Sequence, residues 1–298
     1  MRKKLLIIGG PSGVGKTKLS IIISKLYNGE VISCDSMQIY KDFDIGTAKI
    51  KDSEKNGVVH HLIDIKNFDE EFSVSEYKTE AEKIIDNLNK SNKLPILVGG
   101  TGLYINAILY DYEFRKTNKN SDLRFYYEKL SSKYGNMVLC NILKGRNIDF
   151  SGIHLNDTKR LIRLIETNGN SNEEKEKISN YDFLYICLNQ NRDKLYQKLN
   201  ERVDAMFKEG LPIEVDNLLQ KGVPWDCQPM QSIGYKEFKG FYEGKINLAE
   251  VNELIKLNTR HYAKRQLTWF RNSQNIIMYD VENGFDDLIK IIGEWLNK

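Results

Sequence analysis

The chain has 298 residues, 41% of them hydrophobic and 29% charged, with a formal net charge of +3. This is the balance of a globular protein with room for one core domain and an insertion, and its apolar runs stop far short of the roughly 20 residues that would span a membrane. So mild a charge does not by itself point to a nucleic-acid partner, and Cys34, Cys140, Cys187 and Cys227 are too scattered for a zinc knuckle or a redox dithiol.

Met1-Arg2-Lys3-Lys4 before Leu5-Leu6-Ile7-Ile8 has the outline of a secretory leader, but Gly9-Gly10 ends the apolar run at once, so the segment reads as the first strand of a cytoplasmic protein. Helical spacing follows over residues 16–27. Val31-Ile32-Ser33-Cys34 is a second buried-strand pattern, residues 75–90 carry Tyr77, Ala81, Ile84, Ile85 and Leu88 on one helical face, and Leu94-Pro95-Ile96-Leu97-Val98 is a third strand. Strand, helix, strand, helix, strand predicts a parallel α/β sheet with crossover helices. From about residue 115 to about residue 180 the texture becomes Asn- and Lys-rich around helical patterns at 122–134 and 156–166, which predicts a helical insertion. A returning strand (183–188), a long helix (192–207) stopped by Gly210, and helical patterns at 248–270 and 285–296 complete the chain. The expected organisation is therefore a core of residues 1–114 and 181–298 with an insertion at 115–180.

Gly10-Pro11-Ser12-Gly13-Val14-Gly15-Lys16-Thr17 satisfies the P-loop pattern, directly after a strand and directly before a helix. Glycines let backbone N–H groups converge on phosphate oxygens, Lys16 adds a point charge, Thr17 offers a hydroxyl to Mg²⁺, and the helix N-terminus favours the anion. Nucleotide hydrolysis would normally also need an acid at the end of a neighbouring strand, yet the third strand ends in Gly99-Gly100-Thr101-Gly102. Asp35, at the end of the second strand, is the available carboxylate, as a metal ligand, as a base on an acceptor, or as a cap. The P-loop and Asp35 alone also suit a small-molecule or nucleotide kinase.

Further strings narrow the choice. The P-loop, Asp35-Ser36-Met37-Gln38-Ile39-Tyr40, Asp44-Ile45-Gly46-Thr47-Ala48-Lys49, His60-His61-Leu62-Ile63-Asp64 and Leu97-Val98-Gly99-Gly100-Thr101-Gly102-Leu103-Tyr104 resemble, in order, the motifs of the tRNA dimethylallyltransferases. So do Asn156-Asp157 with Arg160 and Arg163, Gln231-Ser232-Ile233-Gly234-Tyr235-Lys236-Glu237, and Thr259-Arg260 with the run from Ala263 to Arg271. Lys236, where the family usually has Arg, Ile50, where Pro is common, and Leu164-Ile165, for the usual Ala-Leu, depart from the pattern at positions peripheral to the chemistry. The resemblance implies a P-loop NTPase-like core with a helical insertion, and Mg²⁺-dependent transfer of a dimethylallyl group from dimethylallyl pyrophosphate to N6 of adenosine 37. It implies the bacterial type, without the zinc-binding extension of some larger relatives.

It also implies roles for particular residues. Asp35 is the expected base on N6, Thr101 a residue beside the reacting centre, and Arg202 a second clamp on departing pyrophosphate after Lys16. The pyrophosphate site is Gly10, Pro11, Ser12, Gly13, Val14, Gly15, Lys16 and Thr17, with Mg²⁺ at Thr17. Expected tRNA contacts are Asp35, Ser36, Met37, Gln38 and Thr101 near the base, Arg124, Lys159, Arg160, Leu161, Ile162 and Arg163 in the insertion, and Arg260, Lys264 and Arg265 near the C-terminus. Residues 259–271 hold four basic side chains and no acid, and Arg260 and Lys264 share a helical face. Trp269 and Phe270 among them are expected to pack in the core, and His60-His61 lacks metal-ligand spacing. The partner is the anticodon stem-loop, with no membrane, and the chain is expected to act as a monomer.

Overall fold

The computed structural model describes residues 2–110, 121–169 and 179–298. One parallel sheet is formed by β1 (Lys3–Gly9), β2 (Gly29–Cys34), β3 (His60–His61), β4 (Leu94–Gly99), β5 (Tyr181–Asn189) and β6 (Ile277–Asp280), in the spatial order β3-β2-β4-β1-β5-β6. The helices, in chain order, are α1 (Lys16–Leu26), α2 (Asp52–Lys55), α3 (Val74–Lys90), α4 (Gly102–Leu109), α5 (Ser121–Tyr134), α6 (Met137–Gly145), α7 (Thr158–Glu166), α8 (Arg192–Glu209), α9 (Leu211–Gln220), α10 (Lys239–Tyr242), α11 (Leu248–Arg271) and α12 (Asp286–Leu296). Among the described residues no helix is long and apolar enough to cross a membrane.

The strands pair as their composition requires. Leu5, Leu6, Ile7 and Ile8 are all fully buried because β1 lies between β4 and β5 and has helices on both faces. Leu19 and Ile23 of α1, Leu195 and Leu199 of α8, Ala263 of α11 and Leu288 of α12 join the core on one face. α3 buries Tyr77, Ala81, Ile85 and Leu88. It starts at a capping box in which Ser73 and Glu76 each accept the other's backbone N–H, which sets its first turn one residue ahead of the expected one. Gly210 ends α8 at φ 103° and opens α9 in the same stroke. The sequence reading had no α9, and no β6 either. β6 lies at the sheet edge and is exposed except at Tyr279, although Ile276-Ile277-Met278-Tyr279 is an apolar run as continuous as those of the inner strands.

Two compact units divide the chain, residues 1–109 with 179–298, and residues 110–178. The sequence-based boundary at 114/115 lies outside the described residues. Within the smaller unit, α5, α6 and α7 enclose their own core, including Tyr127, Leu139, Leu143, Leu161, Ile162 and Ile165. Leu161 and Ile162 are therefore corrected from expected tRNA contacts to core residues: both side chains are buried, because α7 turns its apolar stripe inward and Lys159, Arg160 and Arg163 outward. Arg124 is also bound within this unit, in a two-pronged pair with Glu166 at 3.0 and 2.8 Å.

Candidate active site

In an open parallel sheet, ligands bind beyond the carboxyl ends of the strands where the strand order reverses. Here β1 sits between β4 and β5, with Gly9 paired to Gly99 and Cys34 to Gly99 on the other side of β4. The P-loop leaves β1, Asp35 leaves β2 and Thr101 leaves β4, so three segments far apart in sequence reach one edge of the sheet. They border a cavity of about 1010 Å³, lined wholly by the larger unit.

The P-loop turns on glycines at φ 142° (Gly10), 76° (Gly13) and 104° (Gly15). At Gly10 a Cβ would also lie 2.7 Å from Leu188 O, so no other residue fits there. Lys16 curls over the loop, donating to Gly10 O at 2.9 Å and Pro11 O at 2.8 Å. Burial pushes its ammonium pKa down to about 8; the Asp35 carboxylate opposes that shift and the Arg202 guanidinium adds to it. Thr17, in the first turn of α1, is exposed and faces the cavity. Pro11 and Val14 are buried and shape the loop without facing the cavity.

Asp35 is half-buried, and its Oδ1 accepts the Met37 N–H at 2.9 Å in a turn closed by the side chain. It caps this turn and no helix. Its charge is felt by Lys16, Arg202 and Tyr262. Ser36 and Met37 line the cavity beside it. Gln38, expected to meet RNA, lines it too, but its Nε2 is directed at Thr47 O and Ala48 O, 3.3 and 3.4 Å away. Arg202 projects from α8 into the cavity and donates to Ala48 O at 3.3 Å. Burial lowers its pKa, with Asp35 opposing, yet a guanidinium stays charged at any working pH. Thr101 lies beside Tyr262 but is not among the residues that line the cavity, and its carbonyl accepts the Tyr104 N–H that opens α4. The lining also includes the apolar side chains of Met37, Ile50, Val203, Met206 and Ile233.

His60 and His61 hold no metal geometry. His60 Nδ1 meets Val58 O and His61 Nε2 meets Glu30, so both serve the sheet edge, and no cluster of three or more metal-ligating side chains occurs among the described residues.

The C-terminal basic cluster divides. Arg260, expected on an RNA-facing surface, is partly buried and donates to Asn200 of α8 at 2.6 Å. Lys264 is exposed; Arg265 is exposed, lies 5.6 Å from the Tyr262 ring centre, and lines the cavity. Phe270 is core, and Trp269 is 36% exposed. In the smaller unit, Lys159 and Arg160 are exposed, with Arg160 ion-paired to Asp157 at 3.3 Å. Sequence reasoning missed Tyr262 and Gln266, both on the inward side of α11. The available signal was polar side chains at positions four apart on the face that also carries Ala263, Leu267 and Phe270.

A positive pole at the P-loop, the carboxylates of Asp35 and Glu54, and apolar side chains in the same lining together suit an apolar group carried on a pyrophosphate. Because the Lys16 ammonium attracts an anion only when protonated, and burial pushes its pKa down to about 8, the advantage of wild type over Lys16→Met in binding inorganic pyrophosphate should be constant below that pH. Above it, that advantage should shrink by up to about tenfold per unit. Calorimetric titration from pH 6.5 to 9.5, set against Lys16→Met, measures this; a difference between the two proteins that does not change across pH 8 would show that Lys16 is not the group responsible.

Residues 38–273 match the profile of the IPP transferase family. A tRNA dimethylallyltransferase of Alkaliphilus oremlandii is 46% identical over 293 residues, covering 95% of this chain and 93% of its own length. One from Bacillus cereus is 43% identical over 291 residues, covering 95% and 92%. Among solved structures, the full-length tRNA isopentenylpyrophosphate transferase of Bacillus halodurans superposes with a TM-score of 0.77 at 40% identity, covering 99% of this chain and 97% of that one. A eukaryotic dimethylallyltransferase captured acting on tRNA gives 0.79 at 28% identity, covering 99% and 80%.

Proposed function

The chain belongs to the IPP transferase family, as an enzyme that prenylates tRNA, and from that premise we propose that it moves the dimethylallyl group of dimethylallyl pyrophosphate to N6 of adenosine 37 beside the anticodon. The observation that carries this reading is the convergence of Lys16, Arg202 and Asp35 on one cavity whose lining also includes apolar side chains. None of the relatives described above is a kinase.

The adenine amine is a weak nucleophile because its lone pair is delocalised into the ring. As N6 bonds to the allylic carbon, the C–O bond breaks with its electron pair going to pyrophosphate, and Asp35 takes the N6 proton. The P-loop amides, Lys16 and Arg202 meet the charge that develops on the leaving group. Met37, Ile50, Val203, Met206 and Ile233 hold the hydrocarbon and exclude water. Thr101, beside Tyr262, stands on the acceptor side, and the base reaches this depth by flipping out of the stack.

Thr17 suits Mg²⁺: its hydroxyl lies open at the cavity beside the anion site, and a metal held largely by phosphate oxygens and water needs no cage of carboxylates. When bound there, Mg²⁺ would add positive charge to the departing pyrophosphate. We further propose that the chain works as a monomer, in the cytoplasm where its tRNA is found. Incubating the protein with dimethylallyl pyrophosphate, Mg²⁺ and unmodified tRNA, then weighing the nucleosides, tests the proposal; an unaltered adenosine together with ATP-dependent phosphorylation of an acceptor would favour a kinase.

The tRNA backbone is met, on this reading, by Lys264 and Arg265 on one unit and Lys159 and Arg160 on the other. Lys264→Gln should flatten the dependence of log K on log salt by about one charge, whereas Arg260→Gln should leave the slope unchanged and cost about 1 kcal/mol of stability through its lost bond to Asn200. Filter binding from low to moderate salt separates them, and the opposite ranking would reverse the assignment.

A further inference from the structure

Between its outward basic residues, α11 sends a second set of side chains into the site. Gln266 is only 5% exposed. Its Oε1 accepts the Ser12 N–H at 3.0 Å and its Nε2 donates to Gly100 O at 3.1 Å. A backbone donor on one side and a backbone acceptor on the other leave the amide a single satisfied orientation. Ser12 belongs to the loop that grips the anion, and Gly100 to the loop that carries Thr101. One buried side chain therefore ties the donor half of the site to the acceptor half. One turn earlier on the same helix, Tyr262 lies beside Thr101. Neighbours of Gln266 on the buried face are apolar, Ala263, Leu267 and Phe270, and a buried amide is tolerated there only because both of its ends are bonded.

Taking as given that the chain transfers a dimethylallyl group to tRNA, we propose that Gln266 is a positioning residue that sets the spacing between the P-loop and the β4–α4 loop, bringing bound donor and acceptor to reacting distance. It touches neither substrate. Each loop can hold its own ligand without it, but a misplacement of about 1 Å between them is enough to cost roughly 10²-fold in rate. The defect on removing Gln266 therefore falls on the rate of the assembled complex, and affinity for either substrate is spared.

The test uses the full chain and two routes to the same junction. Gln266→Met keeps the volume and removes both hydrogen bonds; single-turnover transfer from pre-bound tRNA and donor should slow by about 10–100-fold, with dissociation constants for pyrophosphate and tRNA within about threefold of wild type. At Gly100 a Cβ would lie 2.0 Å from Gln266 Nε2, so Gly100→Ala must displace the amide and should give the same pattern. Gln266→Ala and the double variant Gly100→Ala/Gln266→Ala should then be equally slow, because the second change has nothing left to disrupt. An unchanged rate in Gln266→Met, a loss of both affinities in step with the rate, or additive defects in the double variant would each overturn the proposal. Wild-type protein that fails to prenylate tRNA would instead overturn the functional reading, and this inference with it.

Discussion

Asp35→Asn folds, binds donor and tRNA, and prenylates about 10²–10⁴-fold more slowly than wild type, the loss expected when a positioned base is removed. The amide oxygen still accepts the Met37 N–H that Asp35 Oδ1 takes now, so the turn survives and the stability change stays well under about 1 kcal/mol. It will not accept the N6 proton. Electrostatics sharpen the test, because the Asp35 charge raises the pKa of both Lys16 and Arg202. Without it, the Lys16 ammonium should titrate below its present value of about 8, moving the pH limit of pyrophosphate binding downward while binding at lower pH holds or tightens. Were Asp35 chiefly a metal ligand, raised Mg²⁺ would restore turnover and donor affinity would fall first. Single-turnover transfer measured across a Mg²⁺ series distinguishes the two, and a rate within threefold of wild type removes Asp35 from the mechanism.

Lys16→Ala should lose about 10²–10³-fold in transfer, the scale for deleting one preorganised donor to a developing anion. Its ammonium is already poised at the loop, anchored to Gly10 O and Pro11 O. Arg202 remains to hold the donor weakly, so saturating dimethylallyl pyrophosphate should recover binding without recovering rate. Lys16→Arg should not rescue it, because a planar guanidinium cannot occupy the point between those two carbonyls as an ammonium does. Affinity for tRNA should stay within a few fold, since Lys16 is directed at the phosphate loop. Equal turnover at saturating donor would exclude Lys16 from stabilising the leaving group.

Much of this could be read before any coordinates. The short apolar runs at Leu5–Ile8, Val31–Cys34 and Leu94–Val98, each followed by Gly or polar residues, suit strands buried on both faces, and the P-loop string specifies its own strand–turn–helix context. The order of short motifs carried the family, and with it Asp35, Lys16 and Arg202 as candidates. Those signals are local: each depends on residues adjacent in the chain or one helical turn apart.

What only the tertiary structure decided is which side of a helix each residue faces and what stands opposite. Leu161 and Ile162 sit within a basic string, yet they lie on the inward face of α7 and are core. Arg260 and Lys264 share a helical face by spacing, but α8 brings Asn200 to one and leaves the other in solvent. Gln266 lies within the run from Ala263 to Arg271, but nothing in that run reveals its role, because its partners Ser12 and Gly100 are 254 and 166 residues away. Periodicity measured along a chain determines elements and their apolar faces; pairing between elements is a property of the packed whole, and there the site was completed.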